Sequence, residues 1–349
     1  MRQAKMKQPA ENPGTPAPRL LSGAFMLVCA LAMPAWAQSA PSPLPLPDPS
    51  LSKSPVEALN QMPLNGADRA AFNEAMRRRE YTRAETILVQ AIDAELKLDP
   101  KSKRAAQMLA VAGGVFFLNG EWMNAAIAFK KAEAIQPLRE QDRFTLSMAY
   151  IRLDRRDWAK ADLAGLASDF PQNALYLYWL ARIDYDAKQY QDAIAKLEKV
   201  VVLDPQMMRA FDNLGLCYDY LGQYDYAVRQ YQRAVELNRK QPQPSPWPHL
   251  NLAITFLAQN KFAEADASLR EAIRYDARLA LAHYHLGLAL EKQLRISDAI
   301  QSLEHAAHLD PAYPETHYSL GLLYQKQGDK AKAREAFARF QQLKQSRPR

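Results

Sequence analysis

The sequence predicts an all-α fold, a solenoid of about eight stacked helical hairpins, on the strength of two observations. The first is that small residues recur every 34 residues through most of the 349-residue chain. The second is that the apolar pattern is helical from about residue 65 onward, and no stretch alternates with period two for long enough to form a strand. A self-similar unit of this length is typical of a helical hairpin that buries its apolar face against its neighbours.

The period is visible at two positions of each unit. One series shifts by four residues after its fourth member and consists of Gly113, Ser147, Ala181, Gly215, Ala253, Gly287 and Gly321. The other series is alanine throughout and consists of Ala125, Ala159, Ala193, Ala227, Ala265, Ala299 and Ala333. Small side chains at both positions allow two helices to approach each other closely.

Residues 1–37 are expected to form a secretory signal peptide. Four basic residues precede an apolar run from Leu20 to Leu31, and the triplet Ala35-Trp36-Ala37 resembles a cleavage site. The run is shorter than the roughly 20 apolar residues of a membrane-spanning helix, although an uncleaved anchor is the alternative. We therefore expect an exported bacterial protein that is periplasmic or envelope-associated, or secreted.

Residues 38–64 follow the signal peptide and contain seven prolines, with Ser and Leu between them. Such a composition is typical of an extended, disordered and semi-rigid tether that forms no core.

The helical array is expected to cover residues 65–349. Its units are 65–98, 106–139, 140–173, 174–207, 208–241, 246–279, 280–313 and 314–347. Turns within units are predicted at Asn119-Gly120, Gly222-Gln223 and Gln327-Gly328, because glycine adopts the positive φ that ends a helix. The proline-rich insertion from Lys240 to Pro248 is interpreted as a loop, and a bend that divides the array is the alternative.

Two units show a pattern that resembles the tetratricopeptide repeat family. The residues are Trp122, Ala125, Phe129, Ala132 and Pro137 in one unit, and Leu214, Gly215, Tyr218, Gly222, Tyr224, Ala227, Tyr231 and Ala234 in another. The resemblance implies a right-handed superhelix of antiparallel helix pairs. It also implies that the first helix of each pair lines a concave groove, in which an extended peptide or a partner's helix binds.

Charge and cysteine content argue against nucleic-acid binding and against a reactive thiol. Removal of the signal peptide takes away four basic residues and one acidic residue, so the net charge falls from +7 to +4. This mild charge, together with export, argues against nucleic acid as a partner. Cys217 is the one cysteine left after cleavage, and we expect a buried small hydrophobe rather than a reactive thiol.

No catalytic motif, phosphate-binding loop or metal-ligand spacing is present, so we expect no enzyme, no cofactor and no metal. His249, His283 and His317 occupy equivalent places in successive units and are interpreted as packing groups. His305 and His308 lie three residues apart, which would allow a shared metal, but surface exposure is the preferred interpretation.

The register implied by the family places a set of tyrosines and polar residues on the groove side of the first helices. The candidate partner-binding residues are Tyr178, Arg182, Tyr185, Asp186, Asp212, Asn213, Asp219, Tyr220, Asn251, Tyr284 and Tyr318. Tyrosine is enriched where proteins bind, and carboxylates favour a basic or hydrogen-bond-donating partner. The alternative is that Arg182 and Arg209 neutralise these acids in an internal network.

The sequence therefore favours a non-enzymatic scaffold of the bacterial envelope that binds a protein or peptide partner in its groove, and the groove carboxylates favour a basic partner. Membrane contact would arise only through an uncleaved signal or a bound complex. The alternatives are a structural accessory subunit of an export, outer-membrane assembly or polysaccharide-handling complex, and carbohydrate binding by the tyrosine and aspartate patch.

Overall fold

Residues 64–346 are described by a computed structural model, and all the regular structure in this range is helical. The predicted signal peptide and all but the last residue of the predicted tether lie outside the described residues. The helices are α1 (Gly66–Arg77), α2 (Tyr81–Leu98), α3 (Lys103–Leu118), α4 (Trp122–Glu133), α5 (Glu140–Arg152), α6 (Arg156–Asp169), α7 (Ala174–Asp186), α8 (Tyr190–Leu203), α9 (Met208–Tyr220), α10 (Tyr224–Asn238), α11 (Trp247–Ala258), α12 (Phe262–Tyr275), α13 (Ala280–Lys292), α14 (Ile296–Leu309), α15 (Pro314–Gln327) and α16 (Lys330–Ser346).

The sixteen helices of the described range form eight consecutive hairpins, each with a first and a second helix. The turn inside every hairpin contains one residue with positive φ. It is glycine at three turns, as predicted, and a side-chain-bearing residue at the other five; these residues are Gly120, Gly222 and Gly328, and Arg79, Asp154, Lys188, Asn260 and Leu294. The positive φ reverses the chain within two to three residues, so the second helix folds back along the first.

Close approach of the paired helices explains the series of small residues. A methyl group placed on Gly215 would lie 2.5 Å from the Tyr231 ring, and one on Gly321 would lie 2.6 Å from the Phe337 ring. The seven alanines of the second series are all buried. The core therefore runs as a continuous layer between first and second helices, with each hairpin packed on the next.

Two details differ from the predicted boundaries. Helix α3 begins at Lys103, which is three residues before the predicted start of its unit. Leu64, assigned to the tether, is instead buried with Phe72 in the core of the first hairpin, and its carbonyl accepts a hydrogen bond from Arg69. This position is therefore part of the fold because its side chain covers the open end of the apolar layer.

The proline-rich insertion forms an ordered loop between α10 and α11. The buried Asn238 side chain donates to the carbonyl of Ser245 at 2.7 Å and accepts from its amide at 2.8 Å. Helix α11 packs on α10 as other neighbouring helices do, so the array continues across the loop. Among residues 64–346, no helix is both long and apolar enough to span a membrane.

Candidate functional site

First helices of neighbouring hairpins contact one another in the middle of the array. Helix α9 contacts both α7 and α11, and α13 contacts α11. Because these contacts draw the first helices together, they line the inner, concave side of the array. The candidate partner-binding residues on α7, α9 and α11 therefore lie along one surface, which we call the central groove.

Hydrogen bonds between side chains connect α7 to α9 in the central groove. The Asn213 amide donates to the hydroxyl of Tyr178 at 3.0 Å, and Arg182 donates to the Asn213 carbonyl oxygen at 3.1 Å. Tyr178, which the register places on the groove side, is buried with only 6% exposed. Tyr178 acts instead as an acceptor that fixes the two helices relative to each other.

A second set of hydrogen bonds connects α9 to α11. The Asn251 amide donates to Asp212 Oδ1 at 3.1 Å, and the Thr255 hydroxyl donates to Asp219 Oδ1 at 3.1 Å. Burial raises the pKa of each of these two carboxyl groups to about 6. The amides of Asn213 and Asn251, both candidate partner-binding residues, thus donate to side chains of their own chain.

Three tyrosines form a cluster at the end of α7 and α9. The Tyr190 and Tyr220 rings stack at 5.0 Å and 9° from parallel, and the Tyr185 ring lies edge-on to both, at 5.6 Å and 5.8 Å. Tyr185, which the register places on the groove side, is buried, and its pKa is raised by burial and by the neighbouring Tyr220 hydroxyl. Tyr220 retains 37% exposure. The cluster therefore leaves part of the Tyr220 ring exposed to solvent and holds the ring in place through Tyr190 and Tyr185.

Sequence reasoning missed two members of this site. Tyr190 is not among the candidate residues, because its stacking on Tyr220 depends on the neighbouring hairpin, which no local signal reveals. The role of Thr255 could not be predicted from the sequence either, because a helical hydroxyl can be assigned a partner only once the carboxylate that faces it is known.

The alternative of an internal charge network holds for one carboxylate and not for the other. Arg182 and Arg209 both lower the pKa of Asp212 by their charge, although burial outweighs them. For Asp219, burial and the Thr255 hydrogen bond are the influences, with no arginine among them. Asp186 is exposed at the end of α7. Asp212 is thus close to two arginines, whereas Asp219 has the Thr255 hydroxyl as its partner and Asp186 has an exposed side chain.

The remaining candidate tyrosines lie apart from the central groove cluster. Tyr284 on α13 is half-buried against the Tyr313 ring at 5.2 Å, and burial raises its pKa to about 12. Tyr318 on α15 is partly exposed, but its ring lies against Phe340 at 5.1 Å in the second helix of its own hairpin. The structure therefore does not bring these two residues together with the tyrosines of α7 and α9.

Histidine and cysteine behave as packing groups. His249 is buried beside the Tyr275 ring, and His283 lies 4.3 Å from the exposed His305. Cys217 is buried and free, and burial raises its pKa to about 12. Within the described range, no cluster of His, Cys, Asp and Glu side chains is suited to hold a metal ion.

Models of the tetratricopeptide repeat family match residues 69–140, 144–207, 208–241 and 314–347, and a TPR repeat model matches residues 253–293 and 295–328. The chain therefore belongs to the tetratricopeptide repeat family, whose members are generally protein-interaction scaffolds.

Two curated proteins are similar over part of the array. Low calcium response locus protein H of Yersinia pestis is 33% identical over 93 residues, which cover 27% of this chain and 53% of that protein. Tetratricopeptide repeat protein 8 of Caenorhabditis elegans is 25% identical over 127 residues, which cover 36% of this chain and 24% of that protein. The match thus spans about half the length of the first relative and about a quarter of the second.

Two solved structures share the fold. The C-terminal part of a TPR repeat-containing protein from Cytophaga hutchinsonii has a TM-score of 0.54 at 16% identity, over 68% of this chain and 96% of that chain. PilW, described as a widely conserved type IV pilus biogenesis factor, has a TM-score of 0.53 at 18% identity, over 58% of this chain and 92% of that chain. Together with the hairpin order, these likenesses show a right-handed α-solenoid.

Proposed function

We propose that this protein is a non-enzymatic interaction scaffold of the bacterial envelope, and that its central groove binds a peptide segment or a helix of a partner protein. The observation that carries the proposal is the set of side-chain hydrogen bonds across α7, α9 and α11. Because these bonds hold the groove in shape before a partner arrives, little ordering entropy is lost on binding.

The partner is proposed to be basic in the segment that enters the groove. Asp186 is exposed, and Asp219 is half-buried without an arginine or lysine within ion-pair distance among the described residues. Complementary charge raises the rate of encounter and suppresses acidic partners. The exposed part of the Tyr220 ring adds contact area at a low entropic cost, as tyrosine does at many protein interfaces.

The envelope location rests on the sequence of residues 1–37, in which basic residues, a short apolar run and small residues follow in the order typical of a signal peptide. Fractionation of cells that produce the full chain, followed by mass determination of its N-terminus, tests this part of the proposal. Recovery from the cytoplasm with residues 1–37 intact would refute it.

The groove itself is tested with a double variant, Asp186→Ala with Tyr220→Ala. Cross-linking in intact cells and purification of the full chain should recover at least tenfold less of the groove partner than with the unaltered protein. The matched control is Asp192→Ala with Tyr226→Ala, which removes the same residue types from exposed sites on the second helices α8 and α10. Equal recovery of the partner by both double variants would refute the assignment of the groove.

A further inference from the structure

Buried carboxylates in this chain normally have a basic partner. Asp142, Asp184 and Asp266 are each nine-tenths or more buried. Each forms at least one ion pair, and the pairs are Asp142 with Arg139 at 2.7 Å, Asp184 with Lys160 at 2.7 Å and Lys196 at 2.5 Å, and Asp266 with Arg270 at 2.5 Å and Arg295 at 3.3 Å. The fold thus supplies a counter-ion at three of the four buried carboxylates of residues 64–346, and Glu85, which is also buried, forms no ion pair.

Asp219 departs from this rule. Its carboxylate is half-buried at the floor of the central groove, and the Thr255 hydroxyl is the one donor that the described residues offer it. No lysine or arginine of residues 64–346 lies within ion-pair distance. Burial raises its pKa to about 6, so the group is largely ionised at neutral pH despite the missing counter-ion.

The next residue in the chain provides an aromatic surface beside this carboxylate. Tyr220 is the last residue of α9, and its ring is backed by the nearly parallel ring of Tyr190. The backing fixes the orientation of Tyr220 while part of the ring stays in contact with solvent. The same chain already stacks arginine on an exposed tyrosine, since the Arg229 guanidinium lies 4.4 Å from the centre of the Tyr226 ring.

We propose that Asp219 and Tyr220 form a receptor for one arginine side chain of the partner protein. The guanidinium would donate to Asp219 Oδ2 and lie against the exposed part of the Tyr220 ring. Arginine suits this site better than lysine because its planar, weakly hydrated cation stacks on an aromatic face while it bonds a carboxylate. The inference rests on the proposed function and specifies the chemistry of its partner.

The probe is a set of three nonapeptide libraries, randomised except at the central residue, which is fixed as Arg, Lys or Leu. Each library is passed over the immobilised full chain at pH 7.5, and the retained peptide is quantified. We expect the Arg-centred library to be retained about tenfold more than the Leu-centred library, with the Lys-centred library between them. At pH 5 the preference for Arg should shrink, because Asp219 is then mostly protonated.

Three variants identify the source of the preference. Asp219→Asn keeps the shape of the side chain and its acceptor for Thr255, and it should abolish the preference while the chain stays folded. Tyr220→Leu should reduce the advantage of Arg over Lys. Tyr226→Leu, at an exposed ring of the second helix α10, should change neither quantity.

The possible failures of this test differ in meaning. Retention of all three libraries to an equal extent, or an Arg preference that survives in Asp219→Asn, would overturn the arginine receptor and leave the scaffold proposal standing. Retention of no library by the folded, unaltered chain would count against peptide binding in the groove itself.

Discussion

Asp184 shows how one residue can replace a hydrophobic contact of the repeat by an ionic one. Equivalent positions in other first helices carry Tyr150, Tyr218, Phe256 and Tyr324. Asp184 is fully buried, and it joins α7 to the second helices α6 and α8 through Lys160 and Lys196. Two positive charges around one carboxylate satisfy the charge that burial would otherwise leave unpaired.

Replacing Asp184 by asparagine is expected to lower the free energy of unfolding by about 2 kcal/mol, because both lysines lose their shared counter-ion. Their partial exposure keeps the loss below the value for a fully buried pair. Urea unfolding followed by circular dichroism measures the change. The control Asp192→Asn, at an exposed site on α8, should change the same free energy by less than about 0.5 kcal/mol. An Asp184→Asn chain as stable as the control would contradict this account.

Leu294 occupies a strained position at the turn between α13 and α14. Its φ is 61°, in the positive region that glycine occupies at three equivalent turns, and its side chain is 84% exposed. Leu294→Gly should therefore raise the free energy of unfolding by about 0.5–1 kcal/mol, because the Cβ clash disappears. Leu294→Ala retains the Cβ and should give no such gain in the same thermal or urea titration. A larger gain from alanine than from glycine would show that φ strain is not the cause.

At the scale of the element, the two helices of a hairpin can approach closely where glycine lies on the side of the first helix that faces the second. Gly113 and Gly114 are neighbours in α3, but a methyl group on Gly113 would lie 2.9 Å from the Phe129 ring, whereas one on Gly114 would meet nothing within 4 Å. Gly113→Ala should destabilise the array by about 1–3 kcal/mol through overpacking. Gly114→Ala should stabilise it by about 0.5–1 kcal/mol through helix propensity. Equal shifts in the unfolding midpoint would refute the close-packing explanation.

Periodicity in the sequence was sufficient to predict the hairpins. Small residues such as Gly215 and Ala227 recur because each hairpin requires the same close approach of its two helices, so the constraint repeats with the fold. The ends of the array were less predictable. Leu64 is buried in the core of the first hairpin although it precedes the first repeat unit, and no periodic pattern predicts that α3 starts at Lys103.

The site was predicted only in part, because register gives the side of a helix and not the neighbours on the next one. Tyr178 and Tyr220 were both placed on the groove side, yet Tyr178 is buried beneath Asn213 while Tyr220 remains partly exposed at the end of its helix. Tyr318 had the same register as Tyr178, but its ring lies against Phe340 of its own hairpin. Contacts between hairpins decide these outcomes, and a single sequence does not display them.

Over the whole array, two kinds of buried titratable group oppose each other as the pH falls. Burial raises the pKa of Asp212 and Asp219 to about 6, above the unfolded value of 3.8, so these groups cost stability at neutral pH and the cost is relieved below pH 6. Burial lowers the pKa of His285 to about 4, below the unfolded value of 6.5, so its contribution to stability is lost as the pH falls through 6.5 toward 4. His249 and His283 are shifted in the same direction as His285.

Replacing one buried histidine or one buried aspartate should therefore change the pH dependence of the free energy of unfolding in opposite directions. As the pH falls from 7 to 5, protonation linked to His285 lowers the free energy of unfolding of the unaltered chain by about 2 kcal/mol, and protonation of Asp219 raises it by about 1 kcal/mol. His285→Leu removes the first effect, and Asp219→Asn removes the second. Relative to the unaltered chain, the leucine variant should become more stable and the asparagine variant less stable as the pH falls. Urea titrations at half-unit pH intervals measure both slopes, and His308→Leu on the exposed face of α14 is the control. Slopes of the same sign for His285→Leu and Asp219→Asn would show that burial does not set these pKa values, and the missing counter-ion of Asp219 would then require another explanation.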